Sequence, residues 1–124
     1  MKQVGELNSN IITKLQLNIT PGTPIYIGDS NEEHIKKRHP YEYDKYYDRI
    51  PDILSTPDYV GLNPKDNSIQ CVKEFKIDSE YIRVAIRISQ KNKCFVKALH
   101  LLSTYNAERY IKKGTLIKLD TNFN

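Results

Sequence analysis

Cysteine is scarce in this sequence: Cys71 and Cys94 are the only two in 124 residues. They form no CxxC pair and fit no zinc-ligand spacing, which excludes zinc-ribbon and thioredoxin-type chemistry. Both fall in strand-like segments and read as reduced thiols. A disulfide would require their strands to pair in register, and a cytosolic compartment disfavours one. Long apolar runs are missing as well. None approaches the ~20 residues that cross a bilayer. Residues 1–10 hold no apolar run of the signal-peptide kind. The expectation is a chain without a membrane segment, cytoplasmic by default. Internal repeats, low-complexity tracts and linkers are absent too, so residues 1–124 are expected to form one domain, with residues 1–10 flexible.

Apolar residues make up 39% and charged residues 27%, enough for a core and too polar for a membrane protein. The net charge of +4 is a mild bias, so its location matters more than its size. It gathers at Lys36-Lys37-Arg38 and between Arg109 and Lys113.

The pattern along the chain is helices first, then strands. Ile25-Tyr26-Ile27 reads as a short strand ending at Gly28. Asp29, Ser30 and Asn31 offer a helix start, with Glu32 and Glu33 where the helix dipole favours carboxylates. Pro40 disfavours helical geometry at His39, so this helix must stop there. A second helix is expected from Tyr41 to Leu54, where Tyr43, Tyr46, Tyr47, Ile50, Ile53 and Leu54 share a face, with Pro51 set to kink or split it. Four strands follow: Tyr59 to Leu62, Ile69 to Ile77, Tyr81 to Ile88 and Cys94 to Leu102. Their short connections predict an antiparallel meander. A short helix closes at Gly114. The fold class is therefore α+β, with two N-terminal helices packed on a four-stranded antiparallel sheet.

Few residues suggest chemistry. His34 and Arg38 share a helix face, His34 and Lys37 are also neighbours, and His39 ends the helix. Two imidazoles beside three cations suit phosphodiester chemistry: one takes a proton from a ribose 2′-hydroxyl, the other protonates the leaving oxygen, and the cations steady the phosphorane. The plainer alternative is a solvated helix end with a basic last turn. A His-x4-His metal site is a third reading, with no nearby cysteine or carboxylate to complete it. Lys73 interrupts an apolar strand face of Ile69, Cys71, Phe75 and Ile77, either as a cation entering a cleft or as an edge lysine reaching for solvent. Arg87 lies on the polar side of its strand, where Arg83, Ala85 and Arg87 alternate with isoleucine and valine. Ser103, Thr104 and Tyr105 place hydroxyls at a strand exit, for a phosphate oxygen or for local backbone. His100 reads as packed against the sheet, and the tyrosines of the second helix as core and rim rather than base-stacking surfaces.

The segments HIKKRHP, IPDIL, PDYVGLNPKD, VKEFK, VAIRI, ALHLLS and ERYIKKG, in that order, resemble the phage-type nucleases of the Barnase–EndoU–colicin–RelE superfamily over residues 25–117. The resemblance implies a small helix-then-sheet RNase fold that cleaves RNA without a metal or other cofactor, through a 2′,3′-cyclic phosphate. By position it assigns His34, His39, Lys73, Arg87 and Ser103 to catalysis. It places Arg109 and Lys112 in a basic final segment; with Lys37, Arg38 and Tyr105, singled out by their own positions, they are expected to hold phosphate or RNA. It implies RNA, including tRNA, as target; the start at Met1 without a large delivery region adds the expectation of a free-standing protein of a phage or mobile element. It carries the expectation of a toxin role, with an antitoxin or immunity partner and delivery to a target cell. The alternative is a non-catalytic RNA- or protein-binding module on the same fold.

Overall fold

A computed structural model describes residues 1–120. Strand β1 (Lys2–Leu7) leads into helix α1 (Ser9–Leu15), which Asn8 caps by accepting from the Ile11 N–H at 3.0 Å. Strand β2 (Thr23–Ile27) follows, then α2 (Asp29–Arg38) with Asp29 and Glu32 in its first turn and three cations in its last. Helix α2 stops where Pro40 requires. His39 leaves helical geometry at φ −132°, ψ 59°, and Pro40 opens α3 (Pro40–Tyr46).

The tyrosine-rich segment is not one helix. Pro51 lacks an N–H, and its ring would clash with the Tyr47 carbonyl of a continuous helix. The chain instead makes a 3₁₀ turn over Tyr47–Arg49 and restarts as α4 (Ile50–Ser55), with Pro51 in the first turn. Strands β3 (Tyr59–Leu62), β4 (Ile69–Phe75), β5 (Glu80–Ile88) and β6 (Cys94–Leu102) come next, then α5 (Thr104–Lys113) and the two-residue β7 (Ile117–Lys118).

The predicted meander is present as the centre of a larger sheet. Seven strands lie in the order β1-β2-β6-β5-β4-β3-β7, and the β2–β6 pair is parallel, so the sheet is mixed rather than antiparallel and four-stranded. Residues 1–10 are not a loose tail: β1 pairs with β2, and Val4 and Leu7 enter the core. The strand expected to reach Ile77 ends at Phe75, and Ile77 is fully exposed in the following turn.

One face of the sheet carries the main core. Ile69, Cys71, Ile82, Val84, Ile86, Val96 and Leu99 point into it and meet Tyr46, Ile50, Ile53 and Leu54. Both cysteines are buried free thiols, and burial pushes Cys71 up to about 12. The opposite face is only partly covered. Helix α5 packs there on Val72 and Leu102 through Ala107, with Leu116 beside it. The chain after α5 crosses β3 so closely that a Cβ on Gly61 would overlap the Thr115 carbonyl oxygen. Among the described residues the rest of that face stays open.

Two irregularities shape the open face. The β5–β6 register shifts after Ala85, where Ala85 faces Ala98 and Ile86 faces Val96, leaving Lys97 as the extra residue of a bulge. Strand β2 pairs with β6 only at Ile25–Cys94 and Tyr26–Phe95. Beyond Val96 the outer edge of β6 has no strand partner among the described residues. Side chains of α2 and α3 satisfy it instead: Asn31 Nδ2 donates to the Val96 carbonyl at 2.9 Å, and the Leu101 N–H donates to Glu42 Oε2 at 3.0 Å. These bonds hold the α2–α3 junction, and with it His39, against the end of β6.

Candidate active site

Strand alternation fixes which side chains share the open face. Arg83 on β5 lies directly opposite His100 on β6, and Gln70 on β4 lies opposite Ala85. The side chains join across the strands. Arg83 donates from Nη1 to Gln70 Oε1 at 3.0 Å and from Nη2 to His100 Nδ1 at 3.2 Å. Both partners are neutral, and no carboxylate pairs with this guanidinium among the described residues. A half-buried cation without a counter-ion is costly, and it favours an anion in the space beside it.

His100 is the link between the sheet and the helices. Its ring lies edge-on to His39, with centroids 4.9 Å apart, and His39 lies 6.5 Å from His34. The three imidazoles form a row from the exposed surface of α2 to the half-buried Arg83. An arginine can only donate, so His100 Nδ1 must accept, and the neutral ring carries its proton on Nε2. Burial, and next the Arg83 charge, push His100 down to about 4, so it is neutral at pH 7. Glu42, already held by the Leu101 N–H, lies 3.6 Å from His39 Nδ1. The carboxylate therefore lies on the Nδ1 side of the His39 ring.

A small hollow of about 70 Å³ opens beside Arg83 and His100. It adjoins a larger one of about 290 Å³ between the sheet and the end of α5, and Asn63, Gln70 and Arg83 line both. Lys97 pairs with Asp66 on the rim, which holds the Asp66 carboxyl well below the usual carboxylate range. A further hollow of about 370 Å³ near Lys14 and Ile117 contains neither histidine nor arginine. No group of three or more His, Cys, Asp or Glu side chains among the described residues is placed to hold a metal ion. No helix among them is long and apolar enough to cross a membrane.

The family model for the third phage-Barnase-EndoU-ColicinE5/D-RelE like nucleases matches residues 2–113. The chain belongs to this nuclease family. No curated protein and no solved structure matches it. The family match begins at residue 2, so it includes β1 and α1, outside the 25–117 span that carried the resemblance.

The structure gathers some of the residues singled out from sequence and disperses others. His34 and His39 come together. Lys73 does not join them. It pairs in register with Ile82, on the opposite face of the sheet from Arg83, and its Nζ donates to the Thr56 carbonyl at 2.8 Å and to Thr56 Oγ1 at 3.1 Å. Arg87 is four residues beyond Arg83, about 13 Å along the strand, with its guanidinium 5.3 Å from the centre of the Phe95 ring. Ser103 caps α5, its Oγ accepting from the Asn106 N–H at 3.1 Å. Lys37 and Arg38 are exposed on the last turn of α2. Tyr105, Arg109 and Lys112 form an exposed strip on α5, with Arg109 lying over Tyr110. Arg83, Gln70 and Glu42 were not anticipated, and His100, read as packing, is central. The available signal was the period-two placement of Arg83 and His100 on the polar sides of adjacent strands.

Proposed function

We propose that the protein is a metal-independent endoribonuclease whose active site is the imidazole row ending on Arg83. The observation that carries this reading is the Arg83–His100 pair: a half-buried cation with neutral partners only, next to two further histidines. Such a site suits an anion whose ester bond is made or broken by proton transfer.

In this reading a phosphodiester binds with a non-bridging oxygen at the free N–H groups of Arg83 and at His100 Nε2–H. His34 takes the proton from the ribose 2′-hydroxyl as its oxygen attacks phosphorus. The bond from phosphorus to the 5′-oxygen breaks, and His39 Nε2 delivers a proton to that oxygen. The products are a 2′,3′-cyclic phosphate and a 5′-hydroxyl. Arg83 and His100 take the phosphate-holding role that sequence gave to Lys73 and Arg87. The basic end of α2 and the α5 strip flank the site and suit the neighbouring phosphates, with Lys37, Arg38, Arg109 and Lys112 positioning the strand rather than reading it.

The test is incubation of the protein with tRNA and with total RNA in EDTA, beside His39→Ala. Wild-type cleavage leaving cyclic phosphate ends, reduced about 10²- to 10⁴-fold in the variant, is expected. Salt-dependent binding without product under any condition would favour the non-catalytic alternative. The reading extends to a toxin of a phage or mobile element acting on cytoplasmic RNA and restrained by a cognate inhibitor. Growth arrest on expression of the wild type, and not of His39→Ala, is the outcome it expects.

A further inference from the structure

The hollow between the sheet and the end of α5 has a chemical character of its own. Its floor is Gln70, which is 5% exposed. Arg83 can only donate, so the bond from Nη1 fixes the Gln70 amide with Oε1 toward the guanidinium. The amide nitrogen is left with no partner among the described residues, and it is not sealed from solvent. Asn63, on the rim, is fixed in the same sense. Its Oδ1 accepts from the Lys65 N–H at 2.9 Å, and Nδ2 has no partner among the described residues. Lys113 lines the hollow from the end of α5, and Tyr110 supplies an aromatic wall. The amide nitrogens of Asn63 and Gln70, the Arg83 guanidinium and the Lys113 ammonium can only donate there, while the Tyr110 and Thr115 hydroxyls can donate or accept. The two amide oxygens, the natural acceptors of such a pocket, are both turned away and used.

We propose that this hollow is a nucleobase subsite that prefers bases carrying a carbonyl oxygen at purine C6 or pyrimidine C4, guanine and uracil, over those carrying an amino group at that position, adenine and cytosine. The inference rests on the ribonuclease reading for its position beside the scissile phosphate, since Arg83 lines both the site and the hollow. The selection itself is independent of catalysis. Donors facing a carbonyl edge are satisfied, whereas an amino group there places donor against donor and leaves both unpaired.

The experiment measures binding of the four 3′-mononucleotides to the wild type, to Asn63→Asp and to Gln70→Glu, and maps the cleavage sites of the same proteins on a mixed-sequence RNA. Both substitutions keep size and oxygen position while replacing the donating nitrogen with an acceptor. Thermal melts establish that each variant is folded. The wild type is expected to bind the guanine and uracil nucleotides about tenfold more tightly than the others, and Asn63→Asp to remove or reverse that order. Equal binding of all four, no nucleotide binding, or an order unchanged in folded Asn63→Asp overturns the proposal. Cleavage of RNA with a flat base preference would leave the ribonuclease standing and remove the subsite. Ordered nucleotide binding without cleavage would do the opposite. If Gln70→Glu disturbs Arg83, Asn63→Asp, which does not touch the guanidinium, carries the decision.

Discussion

Arg83 Nη2 donates to His100 Nδ1 at 3.2 Å, and this bond decides where the His100 proton resides. A ring that accepts at Nδ1 holds its proton on Nε2 and resists a second one beside a cation. Burial, and next the Arg83 charge, push its pKa from 6.5 down to about 4. A nitrogen-15 NMR titration is expected to find the Nε2–H tautomer at pH 7 and charging only near pH 4. A midpoint at the ordinary value would contradict the arrangement. Stability follows the same sign. Between pH 6.5 and 4 the unfolded chain takes up a proton that the folded chain refuses. Stability present above pH 6.5 therefore declines as pH falls through that window. His100→Gln is expected to flatten this part of the melting-temperature profile.

The two faces of the sheet separate Arg83 from Lys73. Arg83→Ala is expected to reduce RNA cleavage by about 10²- to 10³-fold. Lys73→Met, on the other face and bonded to Thr56, is expected to leave the rate within about threefold, since it removes no group near the anion site. Comparable losses from both would show that Lys73 reaches the substrate.

The contrast indicates what sequence could and could not supply. Asp29 and Pro40 mark the ends of α2, and the alternation in β5 marks its buried face, because both signals are local. The existence of the β3–β6 meander followed from short connections. The edge strands were another matter. MKQVGEL offers only Val4 and Leu7 to a core, and β1 is stable through pairing with β2 some twenty residues on. The site depends on register as well. Arg83 and His100 were each visible, but that they face one another requires the β5–β6 pairing. Lys73 stood out for interrupting an apolar stripe, and the interruption turned out to be a strand end reaching Thr56. Gln70 and Glu42 carry no sequence signal at all, because their roles arise from partners far along the chain.

Glu42 has two functions that substitution can separate. Its carboxylate accepts from the Leu101 N–H and faces His39 Nδ1. Glu42→Gln retains an acceptor for Leu101 and is expected to keep stability while lowering the cleavage rate about tenfold. Glu42→Ala is expected to lose the rate and about 1 kcal/mol of stability as well. Equal activity in the wild type and the Gln variant would remove Glu42 from the positioning of His39.

Gly61 is required for steric reasons. A Cβ there would overlap the Thr115 carbonyl oxygen, a backbone atom that cannot rotate away. Gly61→Ala is expected to cost about 1–3 kcal/mol, read by chemical denaturation. It should also loosen the chain after α5, where it borders the groove beside Lys113. A neutral substitution would mean that this crossing is less tight than the structure has it.

The central claim is that a ribose 2′-hydroxyl attacks a phosphate held by Arg83 and His100. The most direct test is an RNA oligonucleotide cut at one mapped position in EDTA, compared with the same oligonucleotide carrying a single 2′-deoxynucleotide on the 5′ side of that bond. The prediction is complete loss of cleavage at the modified position, with a 2′,3′-cyclic phosphate on the unmodified product. Cleavage of the deoxy-substituted bond at an undiminished rate would contradict it.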